Sequence, residues 1–159
     1  MKRIGVTGHR SIPGEVLAHV TDGLRDLLDG HDGPMEALSS LAEGADQIFA
    51  DIALECGADL TVVIPSGDYE KTFADPEALA RYRRLKGRAT QEVRMDYAHS
   101  TDDAYYAAGT FIADACDRLV AVWDGLPARG RGGTGDIVAY ARGLGKPVTV
   151  IWCDGVERD

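Results

Sequence analysis

The sequence predicts an α/β fold: a Rossmann-like three-layer sandwich with a mostly parallel sheet of about five strands and helices on both faces. Short apolar runs alternate with segments of helical spacing along the 159 residues, which is the pattern of βαβ units. The run at residues 60–65 is almost entirely apolar, as expected for a strand covered on both faces. A glycine-rich loop at 130–136 separates a further apolar run from a helix-like segment.

The first half of the chain begins with a strand at residues 3–7 and a helix that follows it. Ser11 lies near the expected N-cap, Pro13 in the first turn, and Gly30 at the end of the helix. A weaker strand at 35–40 comes next. The segments that complete this half are a turn at 41–46, a helix that contains Ile48, Phe49 and Ile52 and ends at Gly57, and the strand at 60–65.

The second half continues the alternation of strands and helices. Thr101 or Asp102 can cap a helix in which Ala104, Ala108 and Ile112 keep helical spacing. No element is assigned to residues 91–100. The other expected segments are a loop at 66–76, a charged helix from 77 to about 88, a strand at 119–123, a helix at 137–142 and a last strand at 147–152.

Composition predicts one globular domain at residues 1–153, with a polar C-terminal tail at 154–159 that we expect to be frayed. Hydrophobic residues make up 45% of the chain and charged residues 27%, which is ordinary for a soluble domain. No apolar run is long enough to span a membrane, and the start does not resemble a signal peptide. We therefore expect no membrane partner and a cytoplasmic location.

The charge balance predicts that nucleic acid is not a partner. The formal net charge is −9, from 26 acidic and 17 basic residues, whereas binding to a phosphate backbone depends on a basic surface. A small anionic ligand remains compatible with this charge, because salt screens distant charges within about 8 to 10 Å. The three cysteines are scattered and contain no CxxC pair, which indicates free thiols.

The glycine-rich loop is predicted to bind phosphate. Gly132, Gly133 and Gly135 allow a ligand to approach the main chain, and Thr134 can donate its hydroxyl or cap the helix. Backbone N–H groups at the start of the following helix lie at the positive end of its dipole, which favours an anion. The alternative is that these glycines form only a flexible connection.

The remaining candidate residues follow the other strands. If the first strand is central, the loops at 7–10, 39–44 and 124–136 meet at the carboxyl edge of the sheet. Arg10 offers a bidentate fork to phosphate, or it pairs with a carboxylate; His9 contacts the ligand, or it bonds to the backbone. The basic segment at 81–94 forms a lid or partner surface, or a solvated face paired with acids.

Four acidic side chains are expected at or beside this edge: Glu43, Asp46, Asp124 and Asp136. A pair of them could perform acid/base chemistry or hold Mg²⁺ beside a phosphate. Helix capping is the alternative for Asp46 and Asp136, which both lie at helix starts. No cluster of His, Cys and Asp has the spacing of a zinc site, so no resident metal or cofactor is predicted.

Six short motifs follow one another along the chain, at residues 6–10, 39–46, 104–109, 120–125, 132–136 and 145–148. In this order they resemble the SLOG superfamily. That group includes the LOG phosphoribohydrolases, molybdenum-cofactor carrier-like proteins and the Rossmann domain of DprA DNA-processing proteins. The resemblance implies a Rossmann-like fold that binds a nucleotide or nucleotide derivative, as a homodimer or larger assembly.

The LOG enzymes carry the motif Pro-Gly-Gly-x-Gly-Thr-x-x-Glu, in which the glutamate and an upstream arginine are catalytic. Aligned on Gly132 and Gly133, the glutamate falls on Ala139; counted from Thr134, it falls on Ile137. Neither residue supplies a carboxylate. Only Asp136 could substitute, so the sequence favours binding over hydrolysis.

The sequence therefore predicts binding of a nucleotide or nucleotide-derived phosphorylated ligand, as a sensor or carrier. One alternative is an enzyme that hydrolyses a nucleoside 5′-monophosphate with Asp136 or Glu43 and Arg10. The others are a carrier of a pterin-type cofactor and an assembly module with a vestigial site. A DprA-like protein that binds nucleic acid is a further alternative, which the charge disfavours. The predicted ligand-binding residues are Gly8, His9, Arg10, Ser40, Ala42, Gly44, Asp124, Gly132, Gly133, Thr134 and Gly135.

Overall fold

The computed structural model describes residues 2–30 and 33–158. Within these residues, six strands form one sheet in the order β4-β3-β2-β1-β5-β6, and every pair of neighbours is parallel. The predicted α/β Rossmann-like fold is confirmed, with one strand more than expected. The strands are β1 (Lys2–Gly8), β2 (Met35–Ser39), β3 (Asp59–Ile64), β4 (Gln91–Arg94), β5 (Arg118–Val122) and β6 (Val148–Ile151).

Helices cover both faces of the sheet. The helices are α1 (Gly14–Asp29), α2 (Ala45–Glu55), α3 (Pro76–Gly87), α4 (Asp102–Ala115) and α5 (Thr134–Gly143), with a short 3₁₀ turn at Tyr69–Thr72. Neighbouring strand residues point to opposite faces, so Val62 packs in the core under α1, α2 and α3, whereas Val63 packs under α4 and α5. No described helix has the length and apolar character to cross a membrane.

The strand that the sequence did not predict is β4, at the edge of the sheet. Its residues, Gln91–Arg94, pair with β3 but are largely exposed. A polar edge strand lacks the apolar run by which buried strands are detected, and its charges protect the open edge from pairing with other chains. Strand β4 in segment 91–100 can therefore be recognised only from its pairing with β3.

Three boundaries differ from the expectation. Pro13, not Ser11, occupies the N-cap position of α1, with no side-chain cap. Helix α5 begins at Thr134 rather than at 137. The described part of the polar tail, residues 154–158, is not frayed, because Arg158 folds back onto the loop after β5 and bonds to Asp124. In contrast, the side chain of Thr101 caps α4 as expected, by accepting a hydrogen bond from the Ala104 N–H.

The sheet order brings the carboxyl ends of β2, β1 and β5 side by side. Gly8, at the end of β1, lies so close to Ala45 and Val122 that any side chain would overlap the Ala45 methyl group. Helices α2 and α5 therefore begin close to the end of the central strand, one on each side. The space between their N-termini is the candidate site.

Candidate ligand-binding site

A cavity of about 540 Å³ lies at this carboxyl edge, between the N-terminal ends of α2, α4 and α5. Eight of the predicted binding residues line it: Gly8, His9, Arg10, Ser40, Ala42, Gly132, Gly133 and Thr134. The other predicted site residues, Gly44, Asp124, Gly135, Glu43 and Asp136, do not line it. The lining also includes six residues that the sequence did not assign to the cavity. Three are arginines, Arg129, Arg131 and Arg158. The others are Tyr69 and Tyr105, for which packing was preferred, and Asp46, for which helix capping was preferred.

The first turn of α5 presents polar groups without protein partners. The N–H groups of Thr134 and Gly135 have no acceptor among the described residues. The side chain of Thr134 is also unpartnered in the described part of the chain, although the residue is only 7% exposed. Because Thr134 lines the cavity, its hydroxyl and the helix N-terminus present hydrogen-bond donors to it.

The glycines of the loop allow close packing rather than only a flexible connection. Gly132 has a φ of +87°, and a Cβ there would lie 2.6 Å from the Tyr106 nitrogen in α4. A Cβ on Gly133 would lie 2.9 Å from the Cβ of Ala128, and one on Gly135 would lie 3.0 Å from the Ala128 nitrogen. The loop is thus packed between α4 and residues 126–128, which holds the start of α5 at the cavity.

Asp136 and Glu43, the two carboxylates proposed for hydrolysis, lie outside the main cavity lining. The Asp136 carboxylate accepts a hydrogen bond from the Gly132 N–H at 3.1 Å, so it closes the loop onto the first turn of α5. The partner N–H lies before the helix, so Asp136 fixes the loop and does not cap α5. Glu43 lines a small neighbouring cavity with Arg10 and Tyr69.

His9 and Asp124 form a structural connection between β1, β5 and the tail. The His9 Nε2 accepts a hydrogen bond from the Asp124 N–H at 3.0 Å, which requires a neutral ring. Burial, together with nearby Arg158, lowers the pKa of His9 despite the Asp124 carboxylate. The 3.2 Å approach of Nε2 to that carboxylate is therefore not an ion pair. Of the two alternatives for His9, the hydrogen bond to the backbone is the one observed. His9 also lines the cavity.

The side chain of Asp124 is buried and bonds to the protein itself. It accepts hydrogen bonds from the Leu126 N–H at 3.0 Å, and from the main chain and guanidinium of Arg158 at 3.1 and 2.8 Å. Burial alone would raise the pKa of Asp124, but these N–H donors and the positive charge of Arg158 outweigh it, so the pKa is lowered. Its role is to hold Arg158 beside the cavity.

Gly44 also acts through packing. It has a φ of +87°, and a Cβ there would overlap the carbonyl oxygens of His9 and Arg10. The neighbouring Ala45 N–H donates to the His9 carbonyl at 3.2 Å. Gly44 therefore joins the N-terminus of α2 to the loop after β1, without lining the cavity.

The α2 end of the cavity contains a buried acid and two tyrosines. Asp46 is 8% exposed, and its carboxylate accepts one hydrogen bond, from the Ala42 N–H at 3.3 Å. Burial raises the pKa of Asp46 to about 7, against the opposing effects of that N–H and of Arg10. The Arg10 guanidinium lies 5.2 Å from the centre of the Tyr105 ring and forms no ion pair with a described carboxylate.

Arginine dominates the charge around the cavity. Four arginines line it, Arg10, Arg129, Arg131 and Arg158, against two acids, Asp46 and Asp102. The lining thus has more basic than acidic residues within a protein whose net charge is −9. Two of these arginines pair with carboxylates outside the lining, Arg131 with Asp103 and Arg158 with Asp124, each at 2.8 Å. Arg158 could not be assigned from the sequence, because it reaches the cavity only when the tail folds back onto Asp124.

The basic segment at residues 81–94 lies outside the cavity. Four of its five arginines contact acidic or amide side chains, three of them on neighbouring elements and Arg94 within β4, so the segment mainly adopts the paired alternative. The contacts are Arg81 to Gln47 at 3.1 Å, Arg83 to Glu70 at 2.7 Å, Arg84 to Asp51 at 3.3 Å and Arg94 to Glu92 at 3.2 Å.

No protein-family model matches the chain, and no curated protein matches it in sequence. Solved structures, in contrast, share its fold. One is DNA processing protein A (DprA) from Helicobacter pylori, whose structure is described for its single-stranded DNA binding mode. It is 16% identical to this chain with a TM-score of 0.73, and the match covers 99% of this chain and 68% of that one. DprA from Streptococcus pneumoniae is 19% identical with a TM-score of 0.69, over 94% of this chain. This chain spans half the length of that protein.

A molybdenum cofactor binding protein from Rippkaea orientalis also has this fold. It is 18% identical to the chain with a TM-score of 0.58, over 94% of this chain and 75% of that one. Both of these groups are among those that the motifs resemble.

The prediction that excluded a nucleic-acid partner is wrong. It is contradicted by the similarity to DprA, since the H. pylori structure is described for single-stranded DNA binding. The prediction failed because net charge sums over the whole surface, whereas binding depends on local charge, and here four arginines surround one cavity. The resemblance suggested by the motifs is confirmed at the level of the fold: the chain shares its Rossmann-like fold with the DprA and molybdenum cofactor binding structures.

Proposed function

We propose that the protein binds a nucleotide or nucleotide-derived phosphorylated small molecule in the cavity at the carboxyl edge of the sheet. The observation that carries the proposal is the unpartnered Thr134 hydroxyl, 7% exposed, beside the N–H groups at the start of α5. A buried hydroxyl without a partner is unfavourable, and a phosphate oxygen would accept hydrogen bonds from all of these donors.

The size and charge of the cavity support the same ligand class. Its volume of about 540 Å³ lies within the range of small-molecule sites. Arg10 lines it without an ion-pair partner among the described residues, so its charge is available to an anion. The proposal requires no resident cofactor; Mg²⁺ bound together with the phosphate remains a prediction, tested by titrating the ligand with and without a chelator.

Single-stranded nucleic acid is the second candidate. It is favoured by the similarity to H. pylori DprA over 99% of this chain and by the four arginines around the cavity. A strand would contact these arginines through several phosphates, so its affinity would fall steeply with salt. A mononucleotide, which contacts fewer cations, would show a much weaker dependence on salt.

Hydrolysis of a nucleoside monophosphate stays an alternative with less support. Asp136 already accepts a hydrogen bond from Gly132, and neither Ile137 nor Ala139 supplies a carboxylate. The test is release of free base from nucleoside monophosphates. If Asp136→Asn left such activity intact, Asp136 would not be the catalytic acid. An assembly module with a vestigial site and a homo-oligomer also remain predictions, which light scattering would address.

The experiment is a thermal-shift screen followed by calorimetry. Nucleoside mono-, di- and triphosphates, ADP-ribose, NAD, a molybdopterin-type ligand and a short single-stranded DNA are compared at low and moderate salt. A ligand at a hundredfold excess over its dissociation constant raises the free energy of unfolding by about 2.7 kcal/mol, which shifts the midpoint by several degrees. No shift with any phosphorylated ligand would overturn the proposal.

Thr134→Val tests the site directly. The substitution removes the hydroxyl but keeps the shape of the side chain, and we expect the affinity for the phosphorylated ligand to fall about tenfold. Thr110→Val is the matched control, because the Thr110 hydroxyl bonds to the Tyr106 carbonyl within α4 and does not line the cavity. Equal effects of the two variants on binding would contradict the assignment of Thr134.

A further inference from the structure

The α2 end of the cavity contains polar groups that phosphate binding at α5 does not explain. Asp46 is 8% exposed and Tyr69 is 2% exposed, and both line the cavity. The carboxylate of Asp46 uses one oxygen for the Ala42 N–H and accepts no other hydrogen bond from the described residues. The Tyr69 hydroxyl has no hydrogen-bond partner in residues 2–30 and 33–158. Two buried polar side chains are thus left incompletely satisfied at one place.

Packing alone does not account for these residue types. The ring of Tyr69 packs edge-on against Phe73 and Tyr82, with centroid distances of 5.3 and 5.5 Å, and phenylalanine would make the same contacts without a buried hydroxyl. Asp46 caps the 41–44 turn with a long hydrogen bond, which asparagine could also provide. Buried polar groups that the protein leaves unpaired indicate a ligand that pairs them.

The chemistry of this end excludes the phosphate itself. A carboxylate repels an anion, so Asp46 would oppose a phosphate placed against it, whereas the N-terminus of α5 attracts one. The group that suits Asp46 donates a hydrogen bond to a carboxylate, and the group that suits Tyr69 exchanges one with a phenol. A sugar hydroxyl can do both, because it is donor and acceptor at once.

We propose that Asp46 and Tyr69 form a sugar-hydroxyl subsite, which binds the pentose hydroxyls of the ligand whose phosphate lies at the start of α5. This inference rests on the proposed function. The cavity then has a direction, with the phosphate at the start of α5 beside Thr134 and the hydroxyl-bearing ring at the α2 end. The subsite makes the protein select sugar phosphates over inorganic phosphate.

The test compares three probes by calorimetry: inorganic phosphate, ribose 5-phosphate and 2-deoxyribose 5-phosphate. The native protein should bind ribose 5-phosphate at least about tenfold more tightly than inorganic phosphate. Asp46→Asn and Tyr69→Phe should each reduce this ratio about fivefold or more while leaving the affinity for inorganic phosphate unchanged. The preference for ribose over deoxyribose 5-phosphate shows whether the 2′-hydroxyl is the group bound.

Two controls separate the subsite from general effects of substitution. Asp51→Asn alters a carboxylate of the same helix that pairs with Arg84 at the surface, and Tyr97→Phe removes an exposed hydroxyl; neither residue lines the cavity. An unchanged melting temperature or a raised one in the absence of ligand verifies that each variant folds. Controls that lower the ratio as much as Asp46→Asn and Tyr69→Phe would overturn the subsite.

The failures of the two proposals are distinguishable. If the native protein binds no phosphate-containing probe, the proposed function fails and the subsite fails with it. If it binds phosphate and ribose 5-phosphate equally, or if Asp46→Asn and Tyr69→Phe leave their ratio unchanged, only the subsite is overturned. A variant that weakens both probes equally also overturns the subsite, because it then affects the phosphate end.

Discussion

Asp46→Asn is expected to stabilise the protein without ligand at neutral and higher pH. Burial raises the pKa of Asp46 from its ordinary value of 3.8 to about 7, so the native state resists ionisation of this group and the unfolded chain does not. The stability associated with its neutral form is complete below pH 3.8 and is lost as pH rises through about 7. Asparagine carries no charge and should escape this loss.

The magnitude follows from the two pKa values. Each pKa unit corresponds to about 1.4 kcal/mol, so ionised Asp46 lowers the free energy of unfolding by about 4 kcal/mol relative to its neutral form. The asparagine amide leaves one buried N–H₂ group short of partners, which costs about 1 to 3 kcal/mol. A net gain of about 1 to 3 kcal/mol is therefore expected near pH 8.

Urea unfolding of both proteins at several pH values between about 4.5 and 8 is the assay. The cost of the amide does not change with pH, so it cancels from the pH dependence of the difference between the two proteins. That difference should grow by about 3 kcal/mol over this range. Asp51→Asn, which alters an exposed ion pair on the same helix, should show no comparable growth.

A constant difference between native protein and Asp46→Asn across this pH range would refute the reasoning. It would mean that Asp46 is solvated in the native state and keeps an ordinary pKa. A second variant probes the cause, because Arg10 lowers the pKa of Asp46. Arg10→Met should therefore raise this pKa above about 7, as measured by NMR titration of the carboxyl carbon.

Three further substitutions test the structural basis of the site. Gly44→Ala should lower the free energy of unfolding by at least about 3 kcal/mol, because a Cβ would overlap the main chain of the loop after β1 and because a φ of +87° with a ψ of −126° suits only glycine. Gly57→Ala, at a φ of +86° in open space, is a control without the overlap, and equal losses in thermal unfolding would contradict the reasoning. Arg158→Met should lower the free energy of unfolding by about 3 kcal/mol or more, because it leaves the buried Asp124 carboxylate without its positively charged partner. If denaturant unfolding shows no decrease in this free energy, the tail is not docked. Thr134→Val should leave the free energy of unfolding unchanged or raise it by up to about 1 kcal/mol in the absence of ligand, since no protein partner is lost; a clear decrease would reveal a structural hydrogen bond.

Local patterns were sufficient to predict the fold class. The apolar run at 60–65 and the helical spacing around Ala104 and Ile112 depend only on which residues are near in sequence. These patterns predicted five of the six strands and the meeting of three loops at one edge. Strand β4 was missed because an exposed edge strand has a polar sequence, and only its pairing with β3 identifies it.

Hydrophobic periodicity and glycine-rich turns are local properties, so the α/β architecture and the loops that form the cavity could be predicted from them. What each side chain in those loops does depends on how the chain packs. This packing directed Asp136 and Asp124 to hydrogen bonds within the protein, brought Arg158 back from the tail, and left Thr134 and Asp46 buried with unmet hydrogen-bonding capacity. The physical reason is that burial, pairing and pKa depend on contacts between residues far apart in the chain, which no local pattern encodes.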